Sequence, residues 1–370
     1  MAAKFTSCEE FINKVKASMP FLWVDTYEEH RALMDFVRVL QTTKVAGTDA
    51  SYTAYTWDII DGVRKISVNA QGEMVLNKPI EKTADPLKAL QWFSSRDPNT
   101  QKPNVPDNTI LFLKDMHTYM AKYNEADKVC RKIRNDLNDL KGSGKIIVVM
   151  APVVEIPTTL DKDVNVINFR LPDRENLKKV LLSVCDSAGI DVNKTKYKNE
   201  VVPLEESLVD AALGMTENEA ESAFCLCLIE ARKFDPAIVR REKAAIVKKT
   251  KTLEVFDIGD LDLNAVAGCE NLKAFLLRRK KGSSTKGKAY GVPALKGVVL
   301  VGPPGTGKSL SAKCSAGSLG RPLLKLDLGN VLDKYVGESE HRMRRVLEMA
   351  DAISPCVLWI SRTPRSPCLQ

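Results

Sequence analysis

Short apolar runs alternate with amphipathic stretches through the first half of the chain, and the alternation predicts strands that feed helices. Ser7 to Lys16 sets Phe11, Ile12 and Val15 on one side of a short helix. Pro20 introduces a strand over Phe21 to Val24, and Thr26 with Glu29 has capping-box spacing, which predicts a helix from there through Leu40. Strands are expected over Tyr52 to Ile59 and Ile66 to Val68. Asp85-Pro86 opens a helix through Trp92 and Phe93, followed by a Pro/Asn-rich loop from Arg96 to Asn108. Ile110 to Leu113 and Ile146 to Met150 read as buried strands on either side of a basic helix, Ala126 to Leu140, with a shorter strand over Val164 to Phe169. Strands alternating with helices argue for a parallel α/β sheet.

From Arg174 the texture turns purely helical. Leu177, Val180, Leu181 and Val184 recur at helical spacing, as do Leu208, Ala211 and Ala212, then Ala220, Phe224, Leu228 and Ala231. Gly214 ends one helix and Thr216, with Glu219 three residues on, caps the next. A charged helix, Ala237 to Lys249, leads to a third block. There Leu272, Phe275, Leu276 and Leu277 mark a helix, Val298 to Val301 a short buried strand, Leu323 to Leu328 and Cys356 to Ile360 two further strands.

The stretch from Val298 to Lys313 carries the chemistry. Gly302, Gly305 and Gly307 let the backbone curl until successive N–H groups face an anion, and Pro303, Pro304 and Thr306 complete the turn. Lys308 is placed to set its ammonium against the β- and γ-phosphates and Ser309 to offer a hydroxyl to Mg²⁺. The helix opening at Leu310 aims its positive end at the same charge. An ordinary Gly/Pro turn would not require Lys and Ser directly after the last glycine.

Charge and thiols narrow the remaining classes only a little. The chain of 370 residues has 55 basic and 47 acidic residues, a net charge of +8. The surplus gathers at Arg240 to Lys251 and Arg278 to Lys288. No aromatic residues interleave these cations, so a solvated face is favoured over a nucleic-acid contact. Nine cysteines without pattern and three histidines (His30, His117, His341) without metal-ligand spacing suggest a reducing compartment, and nothing supports a metal beyond Mg²⁺. The N-terminus lacks the apolar run of a signal peptide and no window approaches a membrane span, so a cytoplasmic or plastid-stroma-like location and no membrane partner are expected.

Taken in order, GPPGTGKS, the segment from Val266 to Lys273, the run Tyr335-Val336-Gly337-Glu338-Ser339-Glu340 and the strand PCVLWI resemble the AAA+ ATPases. More narrowly, TYEEHRALM, ILFLKDMH, IPTTLDKDV, ALGMTENEAESAF and REKAAIVKKTKTLEVF resemble a little-characterised AAA+ family with cyanobacterial and plastid-encoded members. The resemblance implies a P-loop parallel sheet preceded by a degenerate AAA+-like α/β domain with a helical lid. The expected divisions are 1–171 for that domain, 172–235 for the lid, 236–262 for a linker, 263–360 for the nucleotide-binding core and 361–370 for an aberrant tail. It also implies an ATPase with ATP and Mg²⁺ as cofactors, a protein partner to remodel and a homo-oligomeric ring in the full-length form. Val266, Ala267 and Gly268 would flank adenine. Tyr335, with Val336 and Gly337, would line a central pore or simply pack beside a helix. Asp25 to Glu29 hold the cradle position of the first module with no glycine and three carboxylates, which would repel phosphate.

The resemblance stops at Ile360. Hydrolysis in this family needs an Asp and a Glu directly after the apolar strand, and Ser361 and Arg362 stand there. No catalytic residue is identifiable, and the text from Ser361 onward reads as a truncation, most simply from a change of frame. A remodelling ATPase in truncated form, a non-hydrolytic nucleotide-binding scaffold and a nucleic-acid motor are the three functions in competition.

Overall fold

A computed structural model describes residues 6–45, 47, 49–69, 72, 74–95, 103–121, 125–189, 204–249, 253–256, 261, 263–282, 290, 297–303, 305–319, 321–328, 343, 346, 347, 349–351, 353 and 356–361. They separate into two units, residues 1–170 and 171–370.

Unit 1 is built on seven strands: β1 (Phe21–Asp25), β2 (Thr53–Asp58), β3 (Gly62–Val68), β4 (Met74–Leu76), β5 (Thr109–Lys114), β6 (Ile146–Ala151) and β7 (Asn165–Asn168). Their order is β4-β3-β2-β5-β6-β1-β7. The run from β2 to β7 is parallel, with Phe21 opposite Ile147 and Ile110 opposite Ile146, while β3 and β4 turn back as an antiparallel meander. Parallel strands bury both faces, which is why β1, β5 and β6 are apolar without alternation. One face is covered by α3 (Pro86–Ser94) and α5 (Ala126–Ser143) around Trp23, Trp57, Phe93 and Ile133. The other is covered by α1 (Ser7–Lys16) and α2 (Glu29–Thr42), where the rings of Phe11 and Phe36 stack at 4.1 Å. A short α4 (His117–Ala121) follows β5.

Unit 2 begins with four helices, α6 (Arg174–Ala188), α7 (Leu204–Ala212), α8 (Glu217–Ala231) and α9 (Pro236–Lys249). They close around Leu177, Leu181, Leu208 and Phe224. Gly214 at φ +88° breaks α7 from α8, and Thr216 with Glu219 forms a reciprocal capping box at 2.9 and 3.3 Å. After them come β8 (Leu253–Phe256), α10 (Glu270–Gly282), α11 (Lys308–Leu319), β9 (Leu323–Asp327) and β10 (Val357–Ser361). The sheet order is β10-β9-β8, parallel between β10 and β9 and antiparallel between β9 and β8.

Two expectations need correcting. Thr26 makes no capping box with Glu29: its hydroxyl accepts from the Glu28 N–H at 2.9 Å, a local turn that delays α2 until Glu29. Residues 298–301 are not a buried strand. Among the described residues no strand pairs with them, and without a ladder on either edge Val299 and Val301 stay 87% and 91% exposed. The helix marked by Leu272, Phe275, Leu276 and Leu277 is present as α10, with Leu276 buried, Leu272 and Phe275 half-buried and Leu277 facing solvent. Strand β8 and the antiparallel β4 were not expected, because short edge strands carry little periodicity.

Two predictions follow from packing. Gly62 sits at φ +75°, and a Cβ there would lie 2.7 Å from Thr83 Oγ1 and 2.9 Å from the Ala84 nitrogen. Thr83 is fixed: its hydroxyl accepts from Val63 N and donates to Ile80 O, and its carbonyl accepts from Trp57 Nε1. Gly62→Ala is therefore expected to destabilise unit 1 by about 1–3 kcal/mol in urea unfolding. Lys243 on α9 is held down to about 8, chiefly by burial; Arg240 lowers it further, while the thiol of Cys356 and Asp210 act the other way. Its unfolded form keeps a proton to higher pH, so this lysine's contribution to stability rises as pH climbs from about 8 towards its ordinary value of 10.5. Lys243→Met should raise the urea midpoint at pH 7 and flatten that rise; an unchanged pH profile would show that the buried ammonium is not its source.

Candidate functional site

In each unit an apolar stretch hands over to a long helix whose first N–H groups lack partners inside the helix. In unit 2 the handover is the glycine turn before α11. Gly305 and Gly307 take φ +84° and +78°, values a side chain resists. The Ser311 N–H donates to Gly307 O at 2.8 Å and starts the helix. Thr306 Oγ1 donates to Pro303 O at 2.8 Å and stands beside Gly302, where a Cβ would lie 3.1 Å from that hydroxyl. Inside this turn Lys308 Nζ donates to Gly302 O at 2.6 Å and to Pro303 O, with Thr306 Oγ1 at 3.4 Å. Among the described residues no carboxylate pairs with this ammonium, and a phosphate oxygen is a stronger partner for it than a neutral carbonyl. Thr306, Ser309 and Leu310 are exposed, and the turn opens to solvent.

Val266 is buried with Leu263 and Leu276 against Cys314 of α11, so the 266–268 segment is anchored to the same helix that carries Lys308. Ala267 and Gly268 are exposed, and Gly268 takes φ +69°. The structure thus brings Val266, Ala267 and Gly268, Gly302, Pro303, Gly305, Thr306, Gly307, Lys308, Ser309 and Leu310 onto α10, α11 and the segments that precede them. Pro304, Tyr335, Val336, Gly337 and Arg362 lie outside the described residues. Ser361 ends β10 opposite Asp327, its hydroxyl donating to Leu326 O at 3.5 Å. A hydroxyl beside a carbonyl cannot take up a proton from water as a carboxylate can.

In unit 1 the same handover lies between β1 and α2, and its charges are reversed. Glu28 takes the N-cap position of α2 without accepting a capping bond from the helix N–H groups, and it is bound by Arg31, both nearly buried. Arg31 also donates to Arg170 O and covers the Phe169 ring at 4.3 Å. Glu29, in the first turn, faces Lys114 at 3.7 Å, the cation being at the end of β5. Burial lifts the Glu29 carboxyl above its usual range; Lys114 pulls it back, and Asp115 and Asp58 lift it further. The carboxylates of the chain itself thus answer the positive end of α2. Sequence reasoning found the acids and missed Lys114 as their partner; the one available signal was a lysine directly after the buried run Ile110 to Leu113.

Sequence reasoning also missed a cluster on the unit 2 sheet. Lys313 Nζ lies 4.6 Å from the Phe256 ring centre and Lys325 Nζ 5.6 Å from that of Trp359, tying α11 to β8, β9 and β10. Among the described residues no group of three or more His, Cys, Asp or Glu could hold a metal ion, and no helix is long and apolar enough to cross a membrane.

Three family models match the chain. Residues 7–169 match the N-terminal domain of SpoVK-like AAA ATPases, residues 175–250 their second domain, and residues 298–361 the ATPase family associated with various cellular activities (AAA). Curated relatives include the AAA domain-containing protein ycf46 of Guillardia theta, named as uncharacterised, 29% identical over 97% of this chain and 64% of that protein. The proteins of the same name from Trieres chinensis (27% identical, 97% of this chain, 66% of that one) and Gracilaria tenuistipitata var. liui (30%, 83% and 58%) are similar. The chain therefore spans about two thirds or less of the length of these relatives.

Proposed function

The chain belongs to the SpoVK-like AAA ATPases, and from that membership we propose that unit 2 binds ATP with Mg²⁺ through the glycine turn while unit 1 binds no nucleotide. The observation that carries the reading is Lys308, whose ammonium is drawn into a turn of left-handed glycines at the start of a twelve-residue helix. The residues fit the group. Lys308 would exchange its carbonyl contacts for β- and γ-phosphate oxygens, the N–H groups from Gly305 to Ser309 would hold the remaining oxygens, and the exposed Ser309 hydroxyl would reach the metal. Mg²⁺ held there would supply positive charge against the phosphates. Val266 to Gly268, fixed to α11 through the Leu263–Cys314 cluster, would flank the base.

Hydrolysis requires more than binding. A carboxylate must orient or deprotonate the attacking water, and the end of β10 supplies the Ser361 hydroxyl instead. We propose that this chain binds ATP and turns it over little or not at all, in keeping with a nucleotide-binding scaffold. The remodelling of a protein partner by a homo-oligomeric ring, with 335–337 towards a pore, is proposed for the longer protein of which the AAA relatives are examples.

The proposed division within the chain keeps 1–171 as a nucleotide-free α/β domain, 172–235 as its helical lid, 236–262 as a linker and 263–360 as the nucleotide-binding core. Support for the first part lies in the filled charge positions at Glu28, Glu29, Arg31 and Lys114.

Titrating the chain with a fluorescent ATP analogue and Mg²⁺ should show saturable binding that Lys308→Ala weakens at least about a hundredfold, the loss expected when a charge-assisted phosphate contact of roughly 3 kcal/mol is removed. Equal binding by the variant would remove the glycine turn from the reading. Phosphate release measured over hours should not exceed that of Lys308→Ala. A clear excess would mean that a carboxylate other than one at 361 or 362 serves as base.

A further inference from the structure

The edge of unit 1 at the carboxyl ends of its parallel strands bears three exposed apolar side chains. Ile60 is 84% exposed, Tyr27 69% and Ile59 46%. Their backbone is held firmly. Asp58 accepts from the N–H groups of Ile60 and Asp61 at 3.1 and 2.8 Å, and Arg64 joins Asp58 and Asp61 at 3.3 and 2.7 Å. Gly62 closes that turn against Thr83. On the other side Tyr27 tops the turn made by Thr26 and Glu28. Large apolar groups on fixed turns lose little freedom when a partner covers them, which favours them as anchors.

β2 and β1 are separated by β5 and β6, so the two anchors stand about 14 Å apart along the sheet edge. Between them the charge is acidic. Asp58 and Asp61 share one arginine, Glu29 faces Lys114, and the side chain of Asp115 is 57% exposed with His117 Nδ1 at 3.8 Å. A partner must therefore offer an apolar side chain among cations. One face of this chain does so: on α10 the 49% exposed Leu277 stands beside exposed Arg278 and Lys280, and the helix has five Lys or Arg against one Glu. Residues 171–370 hold 32 basic and 25 acidic residues, so the positive surplus of the chain lies in that half.

We propose that the Tyr27–Ile60 edge of unit 1 is a docking surface for a second copy of this chain, which it receives through the cationic, leucine-bearing face of α10. The contact needs no nucleotide and stands apart from the glycine turn. Failure of ATP binding leaves it intact, and its own failure leaves ATP binding intact.

The test is sedimentation velocity of the full chain without nucleotide, at about 50 mM and about 500 mM salt, a change that shortens the Debye length roughly threefold. The expected result is concentration-dependent association at low salt that high salt abolishes. Ile60→Asp and Lys280→Glu should each weaken it about tenfold or more. Lys308→Ala should leave it unchanged. Both tested side chains are exposed, so unaltered circular dichroism is expected to accompany the loss. Asp61→Lys copies mixed with Lys280→Glu copies should associate more tightly than either alone. A chain that stays monomeric at low salt, or whose association ignores Ile60→Asp, overturns the proposal.

Discussion

The amide N–H groups exposed where a helix begins after an apolar stretch require a negative partner, and the two units satisfy that requirement in opposite ways. Before α11 the chain supplies glycines and a lysine, which leaves the positive end of the helix for an anion from outside. Before α2 it supplies Glu28 and Glu29, each already paired with Arg31 or Lys114. The first arrangement can hold phosphate, whereas the second would have to expel two carboxylates to do so. The asymmetry proposed for the two units therefore rests on a few charges at these two turns.

Packing keeps these charges in place. In unit 1 the sheet is covered on both faces, and the Trp57–Thr83–Gly62 contacts fix the turn that carries Asp58. Arg31 links the start of α2 to the exit from β7 through Arg170 and Phe169, so the acidic turn and the end of the domain are one fixture. In unit 2 the link between 263–266 and α11 is apolar and small, five side chains around Cys314. Residues 298–301 have no ladder among the described residues, so the glycine turn is fastened mainly through its helix.

Much of this was legible in the chain. Buried parallel strands such as Ile146 to Met150 have no polar side and stand out, and the capping box at Thr216 and Glu219 is a local pattern that tertiary contacts do not disturb. Thr26 and Glu29 show the same spacing and fail, because the Glu28 N–H bonds Thr26 first and Glu29 turns to Lys114, eighty-five residues away. That ion pair depends on strand order, which no window of sequence contains. Val298 to Val301 reads as a strand from its side chains alone, yet a strand exists only when another offers it hydrogen bonds. The glycine turn was legible because its chemistry is local: Gly302 to Ser309 carry the φ values, the cation and the hydroxyl within eight residues.

The central claim, one nucleotide site and one site closed by its own charges, is tested most directly by photolabelling the full chain with an azido derivative of ATP and mapping the labelled peptides. The account predicts label in peptides from residues 263–319 that excess ATP competes away, and none competed from residues 21–58 or 109–117. Competed label in unit 1, or none in unit 2, would contradict it.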